Sequence, residues 1–133
     1  MSTTLGIEVL SGPRKGERYV FGLGGRFMDK IVFGQCTAED GMYFKPDHFL
    51  SSEEHMVFDP EYRDPGTTGS VGSVWVIPRD PEALKSVLVK LYEHFRANGP
   101  LLLNMFERDL TAAISVCETA IEDGAMVEWS VTY

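Results

Sequence analysis

The chain has 133 residues, of which 20 are Asp or Glu and 12 are Lys or Arg, for a formal net charge of −8. That length holds one hydrophobic core of ordinary size and not two, so residues 1–133 are expected to form a single domain. The acid surplus disfavours nucleic acid and anionic membrane surfaces, which are held by clustered Lys and Arg, and no apolar run approaches the roughly 20 residues of a membrane helix.

Residues 1–78 read as strands and turns. Residues 5–10 (LGIEVL) put Leu5, Ile7 and Val9 on one face, the alternation of a half-buried strand. Residues 11–16 (SGPRKG) carry turn chemistry, and residues 18–23 alternate again with Tyr19, Phe21 and Leu23 on one side, which predicts a hairpin. Gly22, Gly24 and Gly25 end that strand in a bend or bulge. Residues 30–33 (KIVF) predict a short apolar strand, and residues 41–44 and 55–58 two weaker ones. Residues 59–72, with two prolines and three glycines, predict a long loop. Residues 73–77 (SVWVI) are apolar on both faces, as in a central strand.

At Asp80 the period changes, and residues 80–123 read as two helices. Asp80 suits an N-cap and Pro81 the first helical position. Leu84, Val87, Leu88, Leu91 and Phe95 then follow the spacing of an amphipathic helix, which Asn98-Gly99-Pro100 ends. A second stripe runs Leu103, Phe106, Leu110, Ile114, Cys117 and Ile121, with Glu107, Arg108, Glu118 and Glu122 opposite and Gly124 as a left-handed C-cap. Residues 126–133 (MVEWSVTY) close the chain as a strand with Val127, Trp129, Val131 and Tyr133 on one face. The order predicts an α+β fold: an antiparallel or mixed β-sheet with a C-terminal two-helix hairpin packed on one face and a final strand. Leu110, Ile114, Cys117 and Ile121 are expected to turn inward onto the side of the closing strand that carries Trp129.

No nucleophile has a flanking base: Cys36 sits among glycine and acids, and Cys117 lies on an apolar stripe. The two cysteines form no CxxC pair, so neither a structural zinc nor a disulfide framework is expected. His48 and His55 lie among Asp47, Glu53, Glu54 and Asp59 at no common metal spacing and read as surface polar residues; His94 reads as a helix-surface residue near a C-terminus. The run Gly22-Leu23-Gly24-Gly25-Arg26 follows a strand, but Phe27 stands where a GxGxxG loop has its third glycine, and no helix is expected to open after it. The chain is therefore expected not to be an enzyme and to carry no cofactor or metal.

Two resemblances bear on function. Gly12-Pro13-Arg14-Lys15-Gly16, Ile31-Val32-Phe33-Gly34 and Ser52-Glu53-Glu54-His55, spread over residues 5–58, resemble the opening of a forkhead-associated phosphothreonine-binding domain. Gln35 stands where that family has its phosphate-binding arginine, so this resemblance implies a degenerate binding or scaffold domain. The size, acidity and α+β order, and the closing helix and aromatic strand over residues 109–133, are similar in style to immunity proteins of bacterial toxin–immunity systems. That resemblance implies a non-enzymatic inhibitor that covers the active site of a cognate toxin; a cytoplasmic location is the default expectation from residues 1–12, which show no secretory signal, and from the two unpaired cysteines. No family-specific motif carries a functional residue over.

Charge patterning indicates where such a partner would sit. Residues 39–64 hold eight acids against two bases, a balance of −6, whereas residues 1–34 carry +2. Glu39, Asp40, Asp47, Glu53, Glu54, Asp59, Glu61 and Asp64 are the expected partner-binding residues. They would steer a basic toxin domain and mimic the phosphates of its nucleic-acid substrate.

Overall fold

The computed structural model describes residues 4–32, 50–51, 53–54, 57, 70–71 and 74–132. Five strands form one sheet: β1 (Thr4–Val9), β2 (Arg18–Val20), β3 (Ser70–Val71), β4 (Val74–Arg79) and β5 (Val127–Thr132). Their order is β2-β1-β5-β4-β3 and every pair is antiparallel, so the sheet is not mixed. Ile7 pairs with Tyr19 on one side and Trp129 on the other. This register gathers the alternating apolar residues of β1 and β5, and Leu5, Ile7, Val9, Val127, Trp129 and Val131 are all buried.

Between β4 and β5 the chain forms α2 (Pro81–Asn98) and α3 (Pro100–Glu122). The Asp80 side chain accepts a hydrogen bond from Glu82 N at 3.2 Å, and Pro81 follows it. Leu84, Val87, Leu88, Leu91 and Phe95 are buried, as their spacing predicts. The far end of α3 closes in a Schellman arrangement: Ala125 N donates to Ala120 O at 2.8 Å and Gly124 N to Ile121 O at 3.2 Å. Gly124 takes φ 63°, a conformation open to glycine without a Cβ penalty. The helical hairpin lies on one face of the sheet, with α3 against β1 and β2.

The buried arc of α3 is turned from the predicted one. Leu102, Phe106, Leu110, Ala113, Val116, Cys117 and Ala120 are buried. Leu103, Ile114 and Ile121 are only half-buried, and Ile114 borders a groove of about 300 Å³ with Val89 and Tyr92 of α2. Small Ala113 and Ala120 are fully buried on this arc together with Phe106 and Leu110, and Ile114 and Ile121 flank it. Leu110→Ala is expected to cost about 2–5 kcal/mol, as for a fully buried leucine. Ile114→Ala is expected to cost about 1 kcal/mol, in the range of partly exposed sites. Urea unfolding of the two variants checks the order.

The N-terminal half departs further from expectation. Strand β2 ends at Val20, and the glycine run does not end as a bend: α1 (Gly24–Phe27) opens there and passes into a π-helical turn, Met28–Val32. Residues 30–32 are thus helical, not a strand. Phe27, Met28 and Ile31 are all buried, at a helical spacing that the four-residue window KIVF conceals. Gly24 is required by close approach, since a Cβ there would meet Leu5 N at 2.9 Å and Leu5 Cβ at 3.0 Å. Phe21, Phe27 and Phe106 meet edge to face around Trp129, with Phe21 5.7 Å and Phe27 6.3 Å from the indole. Of the predicted loop at residues 59–72, Ser70 and Val71 form β3. The weak strand at residues 41–44 lies outside the described residues, as does most of residues 55–58, where Val57 is in a turn.

Arg14, in the β1–β2 turn, joins that turn to the end of α3. Its Nε donates to Asp123 at 3.0 Å, and its Nη2 donates to Asp123 and Glu122 at 2.8 Å each. The guanidinium holds the Asp123 carboxyl below the usual carboxylate range, and a cation at a helix C-terminus also suits the helix dipole.

Candidate functional site

Asp109 sits on the buried arc of α3, 3 % exposed. Tyr19 Oη donates to its Oδ1 at 2.5 Å, Gly22 N to the same oxygen at 2.9 Å, and Leu23 N to Oδ2 at 3.2 Å. Burial, then the hydrogen bond to Asp109, pushes the Tyr19 phenol up to about 12, so it stays protonated and donating at neutral pH. The carboxylate is thereby committed to bracing the β2–α1 turn against α3. Beside it opens a cleft of about 490 Å³ between β2 and α3, lined by Val20, Leu23, Asn104, Met105 and Arg108 as well as by Tyr19 and Asp109. The signal for Asp109 lay in the sequence unread: an acid three residues after Phe106 and next to Leu110 falls inside the apolar stripe, and a buried charge needs partners.

Of the eight predicted partner-binding acids, Glu53 and Glu54 are described and the other six lie outside the described residues. Glu53 is exposed. Glu54 is engaged: its Oε1 accepts from Ser51 N at 2.9 Å, Ser51 Oγ accepts from Glu54 N at 3.1 Å, and Lys90 Nζ of α2 approaches Oε1 at 2.9 Å. The backbone hydrogen bond from Ser51 and then Lys90 lower the Glu54 pKa. The reciprocal pair is a capping box, Ser51-x-x-Glu54, overlapping the Ser52–His55 pattern noted above. Leu50 is buried, Val57 packs on the core, and Arg79 Nε donates to Val57 O at 2.9 Å. The middle of the acidic segment is therefore anchored on α2 and the end of β4.

On the side of the sheet away from the α2–α3 hairpin Glu8 and Glu128 face each other in the β1–β5 register, both half-buried. Burial first, and Glu8 second, raise the Glu128 pKa. A carboxyl whose folded pKa exceeds its unfolded one binds protons more tightly when folded. It therefore destabilises the fold above that folded pKa and is relieved as pH falls through it. Glu128→Gln is expected to stabilise the protein by about 0.2–1 kcal/mol at neutral pH, the magnitude of a cross-strand like-charge pair. The gain should shrink towards zero in acid below the usual carboxylate range, as pH-dependent denaturation would show.

Cys117 is buried, and burial pushes its thiol up to about 12. His94 is half-buried, and burial lowers its pKa. Cys36, His48 and His55 lie outside the described residues. Among the described residues no three metal-ligating side chains come together, and no helix is long and apolar enough to cross a membrane. Comparison with protein-family models, with curated proteins and with solved structures finds no match.

Proposed function

We propose that the chain is a non-enzymatic, protein-binding inhibitor of the immunity type, which neutralises a cognate bacterial toxin by laying the acidic segment 39–64 over a basic active site. The observation that carries this reading is the anchoring of that segment: Leu50, Val57, Glu54–Lys90 and Arg79 tie its middle to the helical layer and β4, while Glu53 is left exposed. A carboxylate on an anchored stretch, as Glu53 is, meets a partner at low ordering cost, which favours binding. Two further features fit a binding protein. The buried Asp109 is occupied by three donors, and the buried Cys117 has a raised pKa that disfavours the thiolate.

Co-expression with each neighbouring reading frame of the genome tests the proposal. A toxic, basic product whose growth arrest the chain relieves, and with which it co-purifies, is the expected result. No relief by any neighbour overturns the reading. With that partner in hand, reversal of Glu53, Asp59 and Glu61 to lysine is expected to slow association roughly tenfold or more at low salt. At 1 M salt, where the Debye length is about 3 Å, the reversal is expected to change little. Glu54 is left in place because it caps and pairs within the fold.

A further inference from the structure

The edge of β2 carries a second surface. Three hydrogen bonds set the phase of the β1–β2 pair: Phe21 N to Leu5 O at 2.8 Å, Val9 N to Glu17 O at 2.9 Å and Gly16 N to Val9 O at 2.9 Å. With the register Ile7 to Tyr19, Tyr19 bonds to β1, and the N–H and C=O groups of Arg18 and Val20 point out of the sheet. Strand β2 is the last strand on that side, so among the described residues nothing pairs with this outward ladder. Val20 is 49 % exposed and Leu23 36 %, and the cleft between β2 and α3 runs alongside.

Charge distinguishes this edge from the rest of an acidic chain. Arg14, Lys85, Lys90 and Arg96 are each paired with a carboxylate. Among the described residues, Arg18 on β2 and Arg108 in the cleft have no ion pair or hydrogen-bonded partner for their side chains. Arg26, on the helical turn that follows Leu23, is likewise without one. A bare strand edge flanked by unpaired arginines and exposed apolar side chains is complementary to an extended segment that alternates acidic and apolar residues.

The geometry points to strand addition: we infer that the edge of β2 takes up an extended acidic segment of a partner protein, whose backbone completes the ladder at Arg18 and Val20 while its carboxylates meet Arg18 or Arg108. Residues of the added strand opposite Arg18 and Val20 fall on the face away from the α2–α3 hairpin, beside the Arg18 guanidinium. Those opposite Tyr19 fall over the cleft, beside Arg108 and Met105. Either register of an alternating segment therefore meets one arginine and one apolar surface. None of the residues of this surface belongs to residues 39–64, and the inference does not depend on the identity of a toxin.

The probe is the capped hexapeptide Thr-Val-Glu-Val-Glu-Thr, with a control carrying lysine for both glutamates, titrated into the full chain by fluorescence anisotropy. The acidic peptide is expected to bind roughly tenfold or more tightly than the control at low salt. Arg108→Glu and Arg18→Glu together are expected to abolish that preference. Val20→Pro removes an N–H that β1 does not use, so the fold tolerates it as an edge-strand proline, and peptide binding is expected to fall at least about tenfold. Amide hydrogen exchange on the unaltered protein supplies a readout free of any variant: Arg18 and Val20 are expected to gain protection with the acidic peptide, while Tyr19 is protected with or without it. Equal binding of the two peptides, or no gain of protection at Arg18 and Val20, overturns the inference and leaves β2 an edge merely guarded by its charge.

Discussion

Asp109→Ala is expected to lower stability by about 2–4 kcal/mol, a large effect for a residue outside the hydrophobic set. The substitution removes one carboxylate and strands three donors: the Tyr19 phenol and the N–H groups of Gly22 and Leu23. Bonds to a charged acceptor contribute more than neutral ones, and a donor left dry costs its desolvation. Gly22 and Leu23 are exposed enough for water to reach them, which keeps the figure below that of a fully buried network. Tyr19→Phe removes one donor only and is expected to cost about 1 kcal/mol, and a double-mutant cycle should return a coupling of about 0.5–3 kcal/mol. Spectrophotometric titration gives an independent check. In Asp109→Asn the Tyr19 phenol should move down from about 12, because the negative charge beside it goes and the amide oxygen is a weaker acceptor, while burial stays. A loss below about 1 kcal/mol for Asp109→Ala would mean that water replaces the carboxylate and that the corner is not held by it.

Trp129→Ala is expected to be the most damaging single truncation, at about 3–5 kcal/mol. The indole is fully buried, sits in the middle of β5 between β1 and β4, and meets Phe21 and Phe27 at 5.7 and 6.3 Å. Its removal opens a cavity that a sheet bonded on both sides cannot collapse into. Against a total of about 5–15 kcal/mol for a domain, the loss is a large share, and the melting temperature is expected to fall by roughly 10 °C or more. Trp129→Phe keeps an apolar ring in place and should lose less. If Trp129→Ala melted within a few degrees of the parent, the core would not be organised around this residue.

The sequence by itself determined the elements whose signals are local and repeated. Residues 80–123 carry an N-cap, an N1 proline, a Gly-Pro break and three-to-four spacing over many turns. Residues 127–132 alternate strictly, and residues 5–9 alternate around two small or charged positions. Each pattern has many redundant residues, so both helices, β1 and β5 stand close to where they were expected, as does the α+β order. The acidity of residues 39–64 was equally plain, but charge alone has no fold, and only Glu53 and Glu54 of the eight acids lie among the described residues.

Tertiary structure decided what depends on neighbours distant in the chain. Residues 24–32 became helical because Gly24 must pass Leu5 at van der Waals distance and Phe27, Met28 and Ile31 share one buried side; a short apolar run cannot declare its own period. The arc of α3 was set by its docking against the sheet and α2, which buries Ala113 and Ala120 with Phe106 and Leu110 and leaves Ile114 and Ile121 at its borders. Asp109 found its partners 86 to 90 positions away, and Arg14 found its own beyond 100. Strand order, and with it the bare edge of β2, followed from β5 returning to pair with β1 rather than extending the other side of the sheet. Hydrogen-bond partners at such separations are chosen by the packed fold, since no spacing rule within one element reaches them.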